Sequence, residues 1–122
     1  MAEILVVDDS NAIRLEVSKY LISEGLTVET ANDGIEGLNK ICASTDIKLV
    51  LTDVNMPNMD GVTMIEKARE KLGTKPMHFI ILTTGLDTYL KARSKKAGVK
   101  GLIVKPFNGP AAIDAIIKLV RG

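Results

Sequence analysis

The chain is sparing in the residues that most often betray a function. Its 122 residues hold one cysteine, Cys42, and one histidine, His78. A lone thiol excludes an internal disulfide, and without a second Cys or His there is no zinc set to assemble. Neither sign of charge is in excess: 16 Lys and Arg stand against 15 Asp and Glu, a net +1. That balance excludes a bulk polyanion partner, so neither nucleic acid nor a membrane surface is expected. Apolar runs near twenty residues, a charged leader and an apolar signal core are all missing from the sequence, and a cytoplasmic protein is expected. No repeat, low-complexity tract or linker breaks the pattern, and the length suits one domain over 1–122.

What is present is an alternation. With 46% hydrophobic and 25% charged residues the composition is that of an ordinary globular protein. Short Val, Ile and Leu-rich runs at Ile4 to Val7, Thr27 to Thr30, Leu49 to Thr52, Phe79 to Thr83 and Leu102 to Val104 predict five strands. The segments between them have helical period: Ile13, Val17 and Leu21 stack at i, i+4, i+8, and Ile113, Ile116, Ile117 and Val120 form an i, i+3, i+4, i+7 stripe. Cys42 falls in register with Ile35 and Leu38, which predicts a small buried side chain. Helix starts are marked by Ser10 or Asn11, by Asp33 with Glu36 three residues later, by Asp60, by Asp87, and by Asn108 or Gly109 before Pro110. Apolar strands joined by helices imply an α/β fold with a parallel sheet covered on both faces.

In such sheets ligands collect beyond the carboxyl ends of the strands. Those ends carry Asp8 and Asp9, Asp53, Thr83 with Thr84, and Lys105. Three converging carboxylates repel one another unless cations join them, and a divalent ion with Lys105 would bring the cluster to neutrality. Oxygen donors without Cys or His suit magnesium, with manganese as substitute.

Other readings fail on spacing. An EF-hand starting at Asp53 would have Pro57 at its fifth position, and neither glycine-rich nucleotide fingerprint occurs. A haloacid-dehalogenase-type phosphatase needs a second acid where the chain has Asn55.

The stretches "ILVVDDS", "LTDVNMPNMDG", "IILTT" and "GLIVKPF" together resemble the receiver domain of two-component response regulators, most closely the single-domain, CheY-like members, over essentially the whole chain. The resemblance implies a flavodoxin-like five-stranded parallel sheet ordered 2-1-3-4-5 with five helices on two faces. Position by position, Asp53 resembles the phosphoacceptor, Asp9 the direct magnesium ligand, and Asp8 its water-mediated companion. Asn55 would lend a backbone carbonyl to the metal, Thr83 a hydroxyl to the phosphoryl group, and Lys105 its charge; the Lys105 to Pro106 bond would be cis.

The implied function is a phosphorelay response regulator, a phosphoacceptor assisting its own phosphorylation and dephosphorylation rather than an enzyme. A histidine kinase or phosphotransfer protein would supply the phosphoryl group. A target, a flagellar motor in chemotaxis or another relay protein, would bind a monomer on the face of the fourth helix, fifth strand and fifth helix. A phosphate sink or relay intermediate without its own output is the alternative.

Three features depart from the family or are particular to the chain. Leu102 stands where many receivers carry Tyr or Phe, which puts an aromatic switch in doubt. Thr84 stands where a smaller residue is frequent, which would narrow access to Asp53. Lys91, Arg93, Lys95, Lys96 and Lys100 gather basic charge on and just beyond the fourth helix, expected as a solvated face rather than the alternative, a docking surface for an acidic partner.

Overall fold

The computed structural model describes residues 2–73, 75–85, 87–105, 107 and 110–122, so Pro106 and the Asn108 or Gly109 cap lie outside the described residues. The elements alternate along the chain: β1 (Ile4–Val7), α1 (Asn11–Ser23), β2 (Val28–Ala31), α2 (Gly34–Ala43), β3 (Leu49–Thr52), α3 (Gly61–Leu72), β4 (His78–Thr83), α4 (Thr88–Lys96), β5 (Gly101–Val104) and α5 (Pro110–Arg121). All four strand pairings are parallel, in the order β2-β1-β3-β4-β5.

Residue alternation along the strands decides which helices lie where. Ile4, Val6, Leu49, Leu51, Ile80 and Leu82 point to the side where Val17 and Leu21 of α1 and Ile113, Ile116 and Val120 of α5 pack. Leu5, Val7, Val50, Phe79 and Ile81 point to the other, against Leu38 and Ile41 of α2, Val62, Met64, Ile65 and Ala68 of α3, and Leu90 of α4. A period of two thus builds two cores from one sheet. β2 lies at an edge and leaves Glu29 exposed.

Capping follows local spacing. Ser10, Asp33, Asp60 and Asp87 each accept from the backbone N–H three residues on, and Glu36 reaches back to the Asn32 N–H at 2.7 Å. Each satisfies a donor that the first helical turn leaves orphaned.

Cys42 departs from expectation: it is exposed. The buried stripe of α2 is Gly34, Gly37, Leu38 and Ile41, one position out of phase with the Ile35 to Cys42 pair. At 100° per residue that single step turns Cys42 outward together with Ile35, which is also exposed. The strand boundaries move only slightly, β2 by one residue toward Ala31 and β4 and β5 by one toward their amino ends.

Adjacent substitutions in α2 separate the two faces. Cys42→Ser should leave unfolding free energy within about 0.5 kcal/mol of wild type, whereas Ile41→Ala should cost about 2–5 kcal/mol in urea melts, because Ile41 is fully buried. A large loss from Cys42→Ser would return the thiol to the core.

Candidate functional site

The strand order reverses between β1 and β3, which are neighbours although β2 lies between them in sequence. Val7 and Thr52 are paired at their carboxyl ends, and the ladder continues one step with the Asp53 N–H donating to the Val7 carbonyl at 2.9 Å. Asp8 and Asp53 therefore leave the sheet side by side at the switch point.

Asp8 is only 1% exposed and fully engaged. Its Oδ1 accepts from the Ser10 N–H at 2.9 Å, its Oδ2 accepts from Lys105 Nζ at 2.9 Å, and its carbonyl accepts from Arg14 Nη1 at 2.7 Å. Asp9 is exposed beside it. Asp53 Oδ1 accepts from the Val54 N–H at 2.8 Å and lies 3.4 Å from Lys105 Nζ. Among the described residues no hydrogen bond reaches Asp53 Oδ2.

Charge in this pocket is balanced on one side only. Burial, reinforced by the charge of Asp8, raises the pKa of Asp53 above the ordinary carboxylate value despite the Val54 N–H and Lys105. Burial pulls the Lys105 pKa down, but its hydrogen bond to Asp8 and the charges of Asp53 and Asp8 outweigh that and hold it up. The side chain is an ammonium at neutral pH.

Oxygens of Asp8, Asp9 and Asp53 all lie within 4.8 Å of one another. Three carboxylates and one ammonium sum to minus two when ionised. The donor set is oxygen only, so it fits a hard divalent cation in both charge and chemistry.

The remaining expected residues cluster next to this group. Val54 and Asn55 open onto a cavity of about 440 Å³, lined also by Thr83, Thr84, Gly85, Tyr89 and Arg93. Thr83 is buried, and its hydroxyl donates to the Gly85 carbonyl at 3.0 Å. Leu102 packs against the core on the α2 to α4 side. His78 sits at the opposite, amino end of β4, where burial first and then Lys100 and Arg69 lower its pKa.

Several supporting residues have no motif to reveal them. Thr52 turns its buried hydroxyl onto the Asp53 carbonyl at 2.8 Å. Gly61 leaves room for that same carbonyl, which a Cβ would strike. Arg93 is not part of a solvated cationic face: it reaches from α4 to Asp60 Oδ1 at 3.5 Å and Glu66 Oε1 at 3.6 Å, and donates to Thr63 Oγ1 at 2.8 Å. Only the Asp60 cap, with its spacing to Thr63, carried a local signal.

The family model for the response regulator receiver domain matches residues 4–118. Chemotaxis protein CheY1 of Helicobacter pylori is 35% identical, covering 98% of this chain and 97% of its own length. The probable chemotaxis protein CheY of Rhizobium etli is 36% identical, over 98% and 95%. Chemotaxis protein CheY4 of Vibrio cholerae superposes with a TM-score of 0.87 at 36% identity, over 98% of both chains. The response regulator TrrA of Thermotoga maritima, solved in complex with Mg(2+)-BeF, gives a TM-score of 0.84 at 33% identity, over 98% of this chain and 99% of that one.

The acidic cluster has a measurable cost. Because the folded Asp53 holds its proton more tightly than the unfolded chain does, its ionised form opposes folding above the raised pKa, and the opposition vanishes below the ordinary carboxylate value near 3.8. In metal-free buffer Asp53→Asn should therefore raise the melting temperature at neutral pH, with the gain fading as pH falls through the carboxylate range. A gain independent of pH would refute the electrostatic cause. Gly61→Ala should lower stability by about 1–3 kcal/mol in denaturant melts, since the carbonyl it strikes belongs to Asp53 itself.

Proposed function

We propose, from the premise that this chain belongs to the response regulator receiver domain family, that a phosphoryl group carried on Asp53 switches it. Two-component phosphorelay signalling is the established work of that family, and the chain is a CheY-like receiver within it. We take 1–122 as one receiver domain that acts as phosphoacceptor and assists its own modification without being an enzyme toward another substrate.

The observation that carries the proposal is the state of the Asp53 carboxylate. One oxygen is tied to Val54 and Lys105, and the other has no donor among the described residues. The free oxygen is the nucleophile. It attacks phosphorus in line as the bond from phosphorus to the donor breaks, and the electron pair of that bond leaves with the donor. With a phosphohistidine of a histidine kinase or phosphotransfer protein as donor, the imidazole takes up a proton. Lys105, already held by Asp8, stabilises the charge that gathers on the phosphoryl oxygens.

Magnesium, or manganese in its place, would be held by Asp8, Asp9 and Asp53 with the Asn55 carbonyl, and would neutralise phosphoryl charge when bound. The Mg(2+)-BeF complex of the Thermotoga relative supports this assignment. Asn55 and Thr84, which line the cavity beside Asp53, meter the water that ends the signal.

Thr83 receives the new phosphoryl oxygens with its hydroxyl, and the shift passes to a target-binding face built from α4, β5 and α5. We take the chain to work as a monomer in the cytoplasm; among the described residues no helix is long and apolar enough to cross a membrane.

Acetyl phosphate with magnesium should add one phosphoryl group to the intact mass of wild type and none to Asp53→Asn; an unlabelled wild type, also with a cognate kinase, would end the acceptor assignment. Magnesium titration should raise the melting temperature of wild type, and by less in Asp9→Asn, because the ion binds the folded cluster alone. Thr84→Ala should shorten the phosphoryl lifetime by opening the cavity, and an unchanged dephosphorylation rate would remove Thr84 from that role.

A further inference from the structure

Helix α4 has a weak apolar anchorage. Its nine residues bury one large side chain, Leu90, and one serine, Ser94, whose hydroxyl has no hydrogen-bond partner among the described residues. What ties it to α3 is largely polar. Arg93 reaches Asp60, the N-cap of α3, and Thr63 and Glu66 in its first two turns. At the other end Arg69 of α3 donates to the Gly98 carbonyl just beyond α4 at 3.3 Å.

The Arg93 end meets the phosphorylation site. Asp60, which Arg93 grips, caps α3, and the next residue, Gly61, lies against the Asp53 carbonyl and donates its N–H to the Val54 carbonyl at 2.9 Å. Thr63 Oγ1 completes the junction, donating to Asp60 Oδ2 at 2.8 Å while accepting from Arg93. Arg93 lines the same cavity as Thr83 and Thr84.

We infer that Arg93 is a positioning residue, a latch that holds α4 in the unphosphorylated arrangement and so sets how readily the receiver switches. Resting on the assignment of Asp53 as acceptor, the inference begins at Thr83. Its one O–H is spent on the Gly85 carbonyl, so donating to a phosphoryl oxygen requires that bond to break. Gly85 leads toward Asp87, the N-cap of α4, and a shift there pulls α4 against the Arg93 contacts. On this inference those contacts favour the resting arrangement, so removing them lowers the cost of switching, and any ligand selecting the switched state binds more tightly.

Beryllofluoride with magnesium, as a phosphoryl mimic, reads that cost directly. Arg93→Ala should bind it about three- to tenfold more tightly than wild type, Arg93→Lys should fall between, and Lys67→Ala, which removes an exposed α3 charge away from the junction, should match wild type. Arg93→Ala should also speed amide exchange over Thr88–Lys96 while leaving α1 and α5 unchanged. A merely structural arginine would leave the affinity equal or weaker, and that result overturns the latch. Should wild type bind no beryllofluoride, the acceptor assignment falls, and the latch that rests on it falls with it.

Discussion

The rest of the structure depends on the close approach of three carboxylates to one another, and of two of them to a single ammonium. Asp8, Asp9 and Asp53 would separate if the backbone let them, and burial together with the charge of Asp8 opposes the ionisation of Asp53. The parallel sheet does not let them. Asp8 and Asp53 extend paired strands by one residue, and Lys105 arrives from β5 to bond Asp8 and approach Asp53. A surplus of two negative charges is thereby built into the fold and kept ready for a cation or a transferring group. The energy to hold it comes from the two cores beneath, where every β1 and β3 residue is buried.

Around that centre, backbone contacts carry more of the precision than side chains do. Thr52 and Gly61 both address the Asp53 carbonyl, one by donating to it and one by leaving it room. The loop that follows is pinned on its far side, where Asn58 Nδ2 donates to Asp33 Oδ2 at 2.8 Å and Gly34 leaves room for the Met59 carbonyl. Asp33 and Asp60 thus cap helices and brace the acceptor loop at once, which removes them from the ligand set and gives them a share in the geometry of Asp53.

Legibility followed the range of the interactions. Strands, caps and the convergence of Asp8, Asp9, Asp53, Thr83 and Lys105 were readable because each depends on local period or on the rule that parallel strands end on one edge. Cys42 was misread because a helical stripe is defined only to within one residue, and one residue is 100°. Arg93 was misread for a different reason: its partners lie about thirty residues away on α3, and composition near α4 shows only a run of positive charge. The close packing at Gly61 is likewise tertiary, and nothing in its neighbours distinguishes it from an ordinary first helical residue.

Leu102 gives the Arg93 junction added weight. Where many receivers place a ring that moves between exposed and buried positions, this chain places an aliphatic side chain packed against the core on the α2 to α4 side. A leucine has no hydroxyl to re-bond and less surface to hide than a tyrosine, so an inward swing at this position would gain less free energy. On the proposed function, information from Asp53 would then reach α4 through contacts that are themselves made or broken. Thr83 with Gly85, and Arg93 with Asp60, Thr63 and Glu66, are the polar contacts on that route whose partners lie on different segments. Each is directional and partly shielded from water, so each favours one arrangement over its alternatives more sharply than apolar contact at Leu102 does.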